Sequence, residues 1–330
     1  LITAIVIGYE VQCRLCDAAS IRSRGWDHVT YGAFSTSLVA AKLMGLSEEE
    51  IHHALGLSGT PNIALRQTRA GELSMWKGCA FANASRNGVF AATLSKHGMT
   101  GPAPIFEGVF GFQKLVSGPF ALAPFGGSGH PFKILDTSIK HFPVEYHAQS
   151  AVEAALALRK EIGDVTRIER IHVETFNAAV QIIAGEPEKW HPKSRETADH
   201  SLPYCIAVAL MDGEVGLRQF DEDRIADPVL HDLIQKVEVV ESAELSQAYP
   251  EGIPNDISIT TVSGERYRKR VDYPLGHDKN PMVDEEVEEK FRKLVQPYLP
   301  PRRVDRILQK LWHLEEVMEI GEVLELFAIG

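Results

Sequence analysis

Residues 123–131, Ala-Pro-Phe-Gly-Gly-Ser-Gly-His-Pro, separate two kinds of sequence. Three glycines and two prolines in nine positions cannot continue a helix or a central strand, so this passage marks a domain crossing. Ahead of it the periodic segments are helical. Gly8 to Cys16 reads as a helix, and Ala33 to Leu46 is a run of small apolar residues suited to close helix packing. Ser47-Glu-Glu-Glu50 is a capping box, opening a helix through Leu55. A longer helix is predicted from about Ser74 to His97, with Gly98 just past its end.

Behind the crossing the period changes. Phe132 to Phe142 reads as a strand, Ala148 to Glu161 as an amphipathic helix, and Ile168 to Thr175 alternates as a half-buried strand does. Helices are predicted over His200–Met211 and Asp227–Lys236, with Lys236–Glu241 available to pair as a strand. Ile257–Val262 and Tyr267–Tyr273 flank Ser263-Gly264 as a hairpin. From Asp284 the pattern is helical again. The fold class is therefore mainly α with an α+β second domain. Its parts are a helical domain over 1–125, an α+β domain over 130–277, and C-terminal helices over 278–330 that return to the helical body.

The 330 residues carry 34 Lys plus Arg against 45 Asp plus Glu, a net charge of -11, with 44% hydrophobic and 24% charged residues. That balance excludes a disordered chain. It also excludes a generic nucleic-acid binder, because an acidic protein repels phosphate. No run approaches the length needed to span a bilayer. The opening Leu1–Ile7 resembles the middle of a buried helix, and the chain reads as a fragment. Cys13 and Cys16 form a C-x-x-C with no second pair to complete a zinc site, and fit small buried hydrophobes better. Sparse cysteine usage suits a reducing cytoplasm.

There is no P-loop, G-x-G-x-x-G, G-x-S-x-G or H-E-x-x-H. Four segments instead place polar residues where a plain core has none. In Arg24–Gly32, Asp27 and His28 precede a small-residue helix, either as a cap with a surface imidazole or as a proton-transfer pair. Lys77 lies in the first turn of a helix, where the dipole disfavours a cation. It either snorkels to water or joins the helix terminus in holding a carboxylate. Lys140, at the end of the predicted strand, and His147, at the start of the next helix, bracket a strand-to-helix junction. In Ala198–Tyr204, Tyr204 serves either as donor or acid, or as a core aromatic behind a capping Asp199 or Ser201. Arg66 and Arg69 add two cations on a loop.

These segments occur in one order: Gly8-Tyr-Glu-Val, Arg24-Gly-Trp-Asp-His28, Ala41–Leu46, Lys77-Gly-Cys-Ala-Phe-Ala, Lys140-His-Phe-Pro, Tyr146–Ala155, Arg195–Tyr204 and Val271–His277. In that register the chain resembles the MmgE/PrpD family over essentially its whole length. The resemblance implies a large helical domain and a smaller α+β domain, a cleft between them, and a homodimer. It implies acid/base chemistry on a small di- or tricarboxylate without metal, iron–sulfur cluster or organic cofactor. The wording around Asp27-His28 and Lys140–His147 is most similar to members that dehydrate 2-methylcitrate to 2-methyl-cis-aconitate in propionate catabolism. Other members decarboxylate or isomerise related acids, and an inactive helical module that dimerises is a further alternative.

By position, Lys77 and Lys140 resemble the family's site lysines, Asp27 or His28 its site histidine, and Tyr204 its site tyrosine. His147 is added for its adjacency, and Arg66 and Arg69 for carboxylate binding. The family also carries a long stretch ahead of the position of Leu1. It includes an acidic Asp-Asp-Thr-His-type segment and a His-Pro loop that contribute to the site. Nothing in this chain matches them, so the site is expected to be partial.

Overall fold

A computed structural model describes residues 1–329. Four helices make the first part: α1 (Ile2–Ala18), α2 (Gly32–Met44), α3 (Glu48–Gly59) and α4 (Trp76–Lys96). The Ser47 capping box forms as expected, with Glu50 accepting from the Ser47 amide at 2.6 Å and the Ser47 hydroxyl accepting from the Glu50 amide. Small residues let α2, α3 and α4 approach closely, with Ala40, Ala41, Ala54 and Ala92 buried at their contact. Gly88 is the tightest point, since a Cβ there would lie 2.1 Å from Thr36 Oγ1. A separate aromatic core gathers Tyr31, Phe34 and Phe112 with Leu15, Ile21 and Val116.

The Gly/Pro passage is fastened to α1 by one carboxylate. Glu10, 4% exposed, accepts from the Gly126 amide at 2.7 Å, the Lys133 amide at 2.6 Å and Arg14 Nε at 2.8 Å. Burial pushes its pKa up, but these donors outweigh burial and hold it below the usual carboxylate value. Beyond this clamp the expected strand over Phe132–Phe142 does not form. Lys133–Asp136 is a 3₁₀ turn and the rest is extended chain whose one ladder-like bond runs from the Ile139 amide to Gly276. A strand-like sequence does not make a strand unless it pairs with a neighbour, and this segment pairs with no strand of the sheet.

The α+β part is a four-stranded sheet in the order β2-β1-β3-β4 (β1 Ile168–Thr175, β2 Val237–Glu241, β3 Asn255–Thr261, β4 Arg266–Val271). β2 runs parallel to β1, and the other pairs are antiparallel. The hairpin read at Ser263-Gly264 is β3–β4, with Gly264 at φ +83°. Ile171, Val173, Ile257 and Ile259 point from the sheet onto α5 (Gln149–Ile162) and α6 (Leu202–Asp212), in the largest core of the molecule. α6 is buried from Leu202 through Leu210, which explains its lack of a polar face. Two shorter helices, α7 (Pro228–Ile234) and α8 (Ala243–Ala248), flank β2 in sequence. The final helices, α9 (Asp284–Val295), α10 (Pro301–Trp312) and α11 (Gly321–Glu325), share a small core of Leu299, Val304, Ile307, Leu308 and Leu326. The mainly helical body with an α+β domain is thus the architecture observed. Among the described residues no helix is long and apolar enough to cross a membrane.

Candidate active site

The loop between α3 and α4 joins the two parts. The Gly71 amide donates to Glu186, the Leu73 amide to Thr197 Oγ1 at 2.9 Å, and the Ser194 hydroxyl to the Leu73 carbonyl at 3.0 Å. This latch sets the N-terminus of α4 against the segment before α6, and the site is built across that seam.

On the helical side, Asp27 caps the turn His28–Tyr31 by accepting from the Val29 amide at 3.1 Å. Its other oxygen takes Arg69 Nε at 2.7 Å. Both sequence readings of this segment are therefore partly realised: Asp27 is a cap, and it also holds a cation and the His28 ring, Nδ1 to Oδ1 3.1 Å. His28 keeps 61% of its side chain exposed, yet neighbouring protein crowds the ring enough to lower its pKa, against the opposing pull of Asp27. Arg66, on the same 3₁₀ turn as Arg69, lies near enough to Arg22 for the two cations to repel.

Lys77 does not snorkel to water. Its Nζ lies 3.6 Å from Asp199 Oδ1, and its side chain is 19% exposed. Burial pulls its pKa down, with Lys140 and Arg69 adding repulsion and Asp199 opposing them. Three of the expected cations are thus gathered in one electrostatic neighbourhood. Lys140 lies on the extended strap instead of ending a strand, and its Nζ donates to the Val144 carbonyl at 2.9 Å.

The α+β side supplies two buried imidazoles, each tied to a carboxylate. His147 Nδ1 meets Glu145 Oε1 at 2.9 Å, while Glu145 Oε2 accepts from the His147 amide at 2.7 Å. Burial raises the Glu145 pKa, but His147 and then His200 outweigh it, so the carboxylate is held below its usual value. His200 Nδ1 is hydrogen-bonded to Asp199, and burial lowers its pKa against that carboxylate's pull. Asp199 is not the cap of α6; Ser201 is, accepting from the Tyr204 amide at 3.1 Å. That leaves Asp199 free to bridge His200 and Lys77.

Tyr204 must be corrected. It is completely buried, its hydroxyl donates to the Gln219 carbonyl at 2.6 Å, and its ring packs on Phe220. Burial drives its pKa well above the ordinary phenol value. It is a core aromatic with a satisfied hydroxyl, the other reading the sequence allowed. Glu145, Asp199 and His200 lay inside segments already singled out, but nothing in them distinguished site residues from helix-entry residues. Arg22 and Tyr249, which also face Glu145, stand outside every motif.

Two further concavities lie away from the seam. A cavity of about 570 Å³ between α1, α2 and α4 is lined by Ile5, Val39, Leu43 and Phe81 and holds no ionisable group except Tyr9. Another, of about 770 Å³, lies against α10. Size does not decide here: neither offers the paired imidazoles and carboxylates that proton transfer needs. Cys13 and Cys16 are not the small buried hydrophobes expected: on α1 Cys13 is only partly covered and Cys16 is exposed, and both lie outside the seam. Among the described residues the one group with metal-ligand geometry, His313, Glu315 and Glu316, is wholly on the surface.

Comparison with known proteins finds two family domains along the chain. Residues 1–124 match the MmgE/PrpD N-terminal domain and residues 142–314 the MmgE/PrpD C-terminal domain. The chain is 28% identical over 353 aligned positions to 2-methylcitrate dehydratase of Cupriavidus necator, covering all of this chain and 70% of that one. It is 27% identical to 2-methylcitrate dehydratase of Escherichia coli K12, with the same coverage. Against human cis-aconitate decarboxylase the identity is 25%, over 96% of this chain and 66% of the relative. With both domain models matched in order across the two halves of the seam, the chain belongs to the MmgE/PrpD family.

Proposed function

We propose that the protein is a lyase that dehydrates 2-methylcitrate to 2-methyl-cis-aconitate. The observation that carries this reading is the arrangement around the seam: Arg69, Lys77 and Lys140 share one electrostatic neighbourhood, and Lys77 meets the Asp199 carboxylate that also holds the His200 imidazole, in a protein of net charge -11. Arg69 and Lys77 are already shared with Asp27 and Asp199, while among the described residues Lys140 has no carboxylate partner and is left for an anionic ligand.

Dehydration beside a carboxylate needs three things: a base for the C–H proton, an acid for the departing hydroxyl, and cations for the charge that builds on the carboxylate as the proton leaves. Lys77, Lys140, Arg66 and Arg69 supply the cations, with Arg69 already shared with Asp27. His28 at the exposed rim, with His147 and His200 inside, are the proton-transfer groups. Dehydratase relatives with all of this chain aligned support the reaction class. We also assign the protein to a homodimer in the cytoplasm, acting in propionate catabolism. The cis-aconitate decarboxylase match motivates a second reading, loss of CO₂ from a related acid.

The test is absorbance of the unsaturated acid on mixing the intact protein with 2-methylcitrate, with CO₂ measured in parallel. Product without CO₂, lost in Lys140→Ala, is expected. Turnover unaltered in that variant, or CO₂ as the product, overturns the assignment.

A further inference from the structure

Tyr249 has no place in any sequence motif, yet it completes a chain of three side chains. Glu145 fixes the His147 ring from one side, through Nδ1 at 2.9 Å and the backbone amide at 2.7 Å. An ionised carboxylate can only accept, so Nδ1 carries the hydrogen and Nε2 presents its lone pair. That lone pair faces the Tyr249 hydroxyl at 3.4 Å. Phe176 holds both rings: it stacks on Tyr249 with centroids 4.8 Å apart and planes 14° from parallel, and meets His147 edge-on at 5.2 Å. His147 is 8% exposed, whereas Tyr249 is 37% exposed, so the phenol is the end of the chain that a ligand can reach. Arg22 of the helical part, the neighbouring Tyr146, His200 ahead of α6, Cys205 on α6 and Tyr249 after α8 are charged or titratable groups that face the Glu145–His147 pair.

We propose that Tyr249 takes the carbon-bound proton of the substrate through a Glu145–His147–Tyr249 relay, an inference that rests on the dehydratase reading. A phenol is too weak a base to act alone at neutral pH. Here it need not. As the substrate C–H bond breaks, its proton forms a new O–H bond on Tyr249, and the original phenolic proton passes to His147 Nε2. The electron pair from the C–H bond moves into the neighbouring carboxylate, with Arg22 the cation that faces Tyr249. It then returns to expel the hydroxyl, which leaves as water with a proton from a separate acid. The imidazolium formed on His147 is stabilised by Glu145, the logic by which a carboxylate–imidazole pair activates a hydroxyl. The long 3.4 Å contact is the kind that tightens on ligand binding. Tyr249 thus acts as base, not as the donor or acid expected of Tyr204, while Glu145 and His147 position it and move its proton.

The experiment compares the intact protein with Tyr249→Phe, which keeps the stack on Phe176, and with Glu145→Gln. In Tyr249→Phe, kcat is expected to fall at least about a hundredfold with KM nearly unchanged. The isotope effect on substrate deuterated at the reacting carbon should rise, because proton abstraction becomes rate-limiting. A merely structural role would not move that isotope effect. Nitrogen-15 NMR of His147 gives a readout independent of turnover. The Nδ1-protonated tautomer is expected, with an Nε2 resonance that shifts in Tyr249→Phe and a tautomer balance that moves in Glu145→Gln. If the wild type turns over 2-methylcitrate and Tyr249→Phe keeps kcat within threefold, the relay is wrong and the dehydratase reading stands. If the wild type shows no turnover, that reading fails. The relay is then decided by NMR, where an Nε2-protonated ring or an unmoved resonance overturns it.

Discussion

Replacing Asp199 with Asn isolates one electrostatic link. The carboxylate faces Lys77 at 3.6 Å, with side chains 22% and 19% exposed. A full ion pair at that distance is worth about 4.6 kcal/mol at an effective dielectric near 20. Partial exposure leaves about half of it, on the order of 2 kcal/mol, or about 1.5 pKa units for Lys77. The Lys77 pKa already lies below the usual lysine value through burial and through repulsion by Lys140 and Arg69, so Asp199→Asn drops it further. The amide keeps an oxygen for His200, and thermal unfolding serves as the control for folding.

The sign of the effect on binding follows from which form binds. A carboxylate ligand needs the ammonium, so affinity is present below the Lys77 pKa and is lost as pH rises through it. Calorimetric titration of citrate against pH, with Lys77 followed by NMR, should show that loss shifted about 1.5 units lower in Asp199→Asn. At acidic pH the variant should bind more tightly, since the competing carboxylate is gone, so the two curves cross. A single curve displaced at every pH without crossing, or an unmoved Lys77 titration, refutes the reasoning.

Other outcomes follow from geometry. Glu10→Gln places an amide nitrogen against a backbone donor at Gly126 or Lys133 and should cost about 3 kcal/mol in denaturant unfolding. Because the folded pKa of Glu10 is depressed, its contribution is present above the unfolded value and fades as pH falls through the folded one, so the gap from wild type should narrow in acid. Tyr204→Phe should lose about 1 kcal/mol by orphaning the Gln219 carbonyl, yet leave turnover within twofold; a large fall in kcat with intact stability would restore Tyr204 to the site. Gly88→Ala forces a methyl against Thr36 and Ser37 and should lower stability by about 2 kcal/mol in thermal unfolding; a neutral result would mean that α2 and α4 separate easily.

The fold was legible wherever burial repeats along the chain. β1 occupies the stretch its alternation marked out, and the β3–β4 hairpin closes on Gly264, because both patterns reflect a sheet with one face on a core. Phe132–Phe142 reads as a strand too, but a strand is a property of a pair, and this segment joins no sheet. In the site, the cations were legible as charges placed against local preference: Lys77 in a first helical turn is the clear case. Tyr204 misled because its motif fixes where it stands in the chain and not which way its ring points. Tyr249 was invisible for the opposite reason. It meets His147 across 102 positions, and no local pattern encodes a contact made by tertiary folding.

The latch at Leu73, Thr197 and Ser194 has a consequence for how such a molecule fails. The cations of the first half and the imidazoles of the second each stand on a separate hydrophobic core, so either half can keep its shape while the seam opens. An opened molecule would show full helical dichroism and no chemistry. Activity and secondary structure should therefore be lost at different denaturant concentrations. Substitutions at Thr197 and Ser194, whose hydroxyls hold the Leu73 backbone, would tune the interval between the two midpoints.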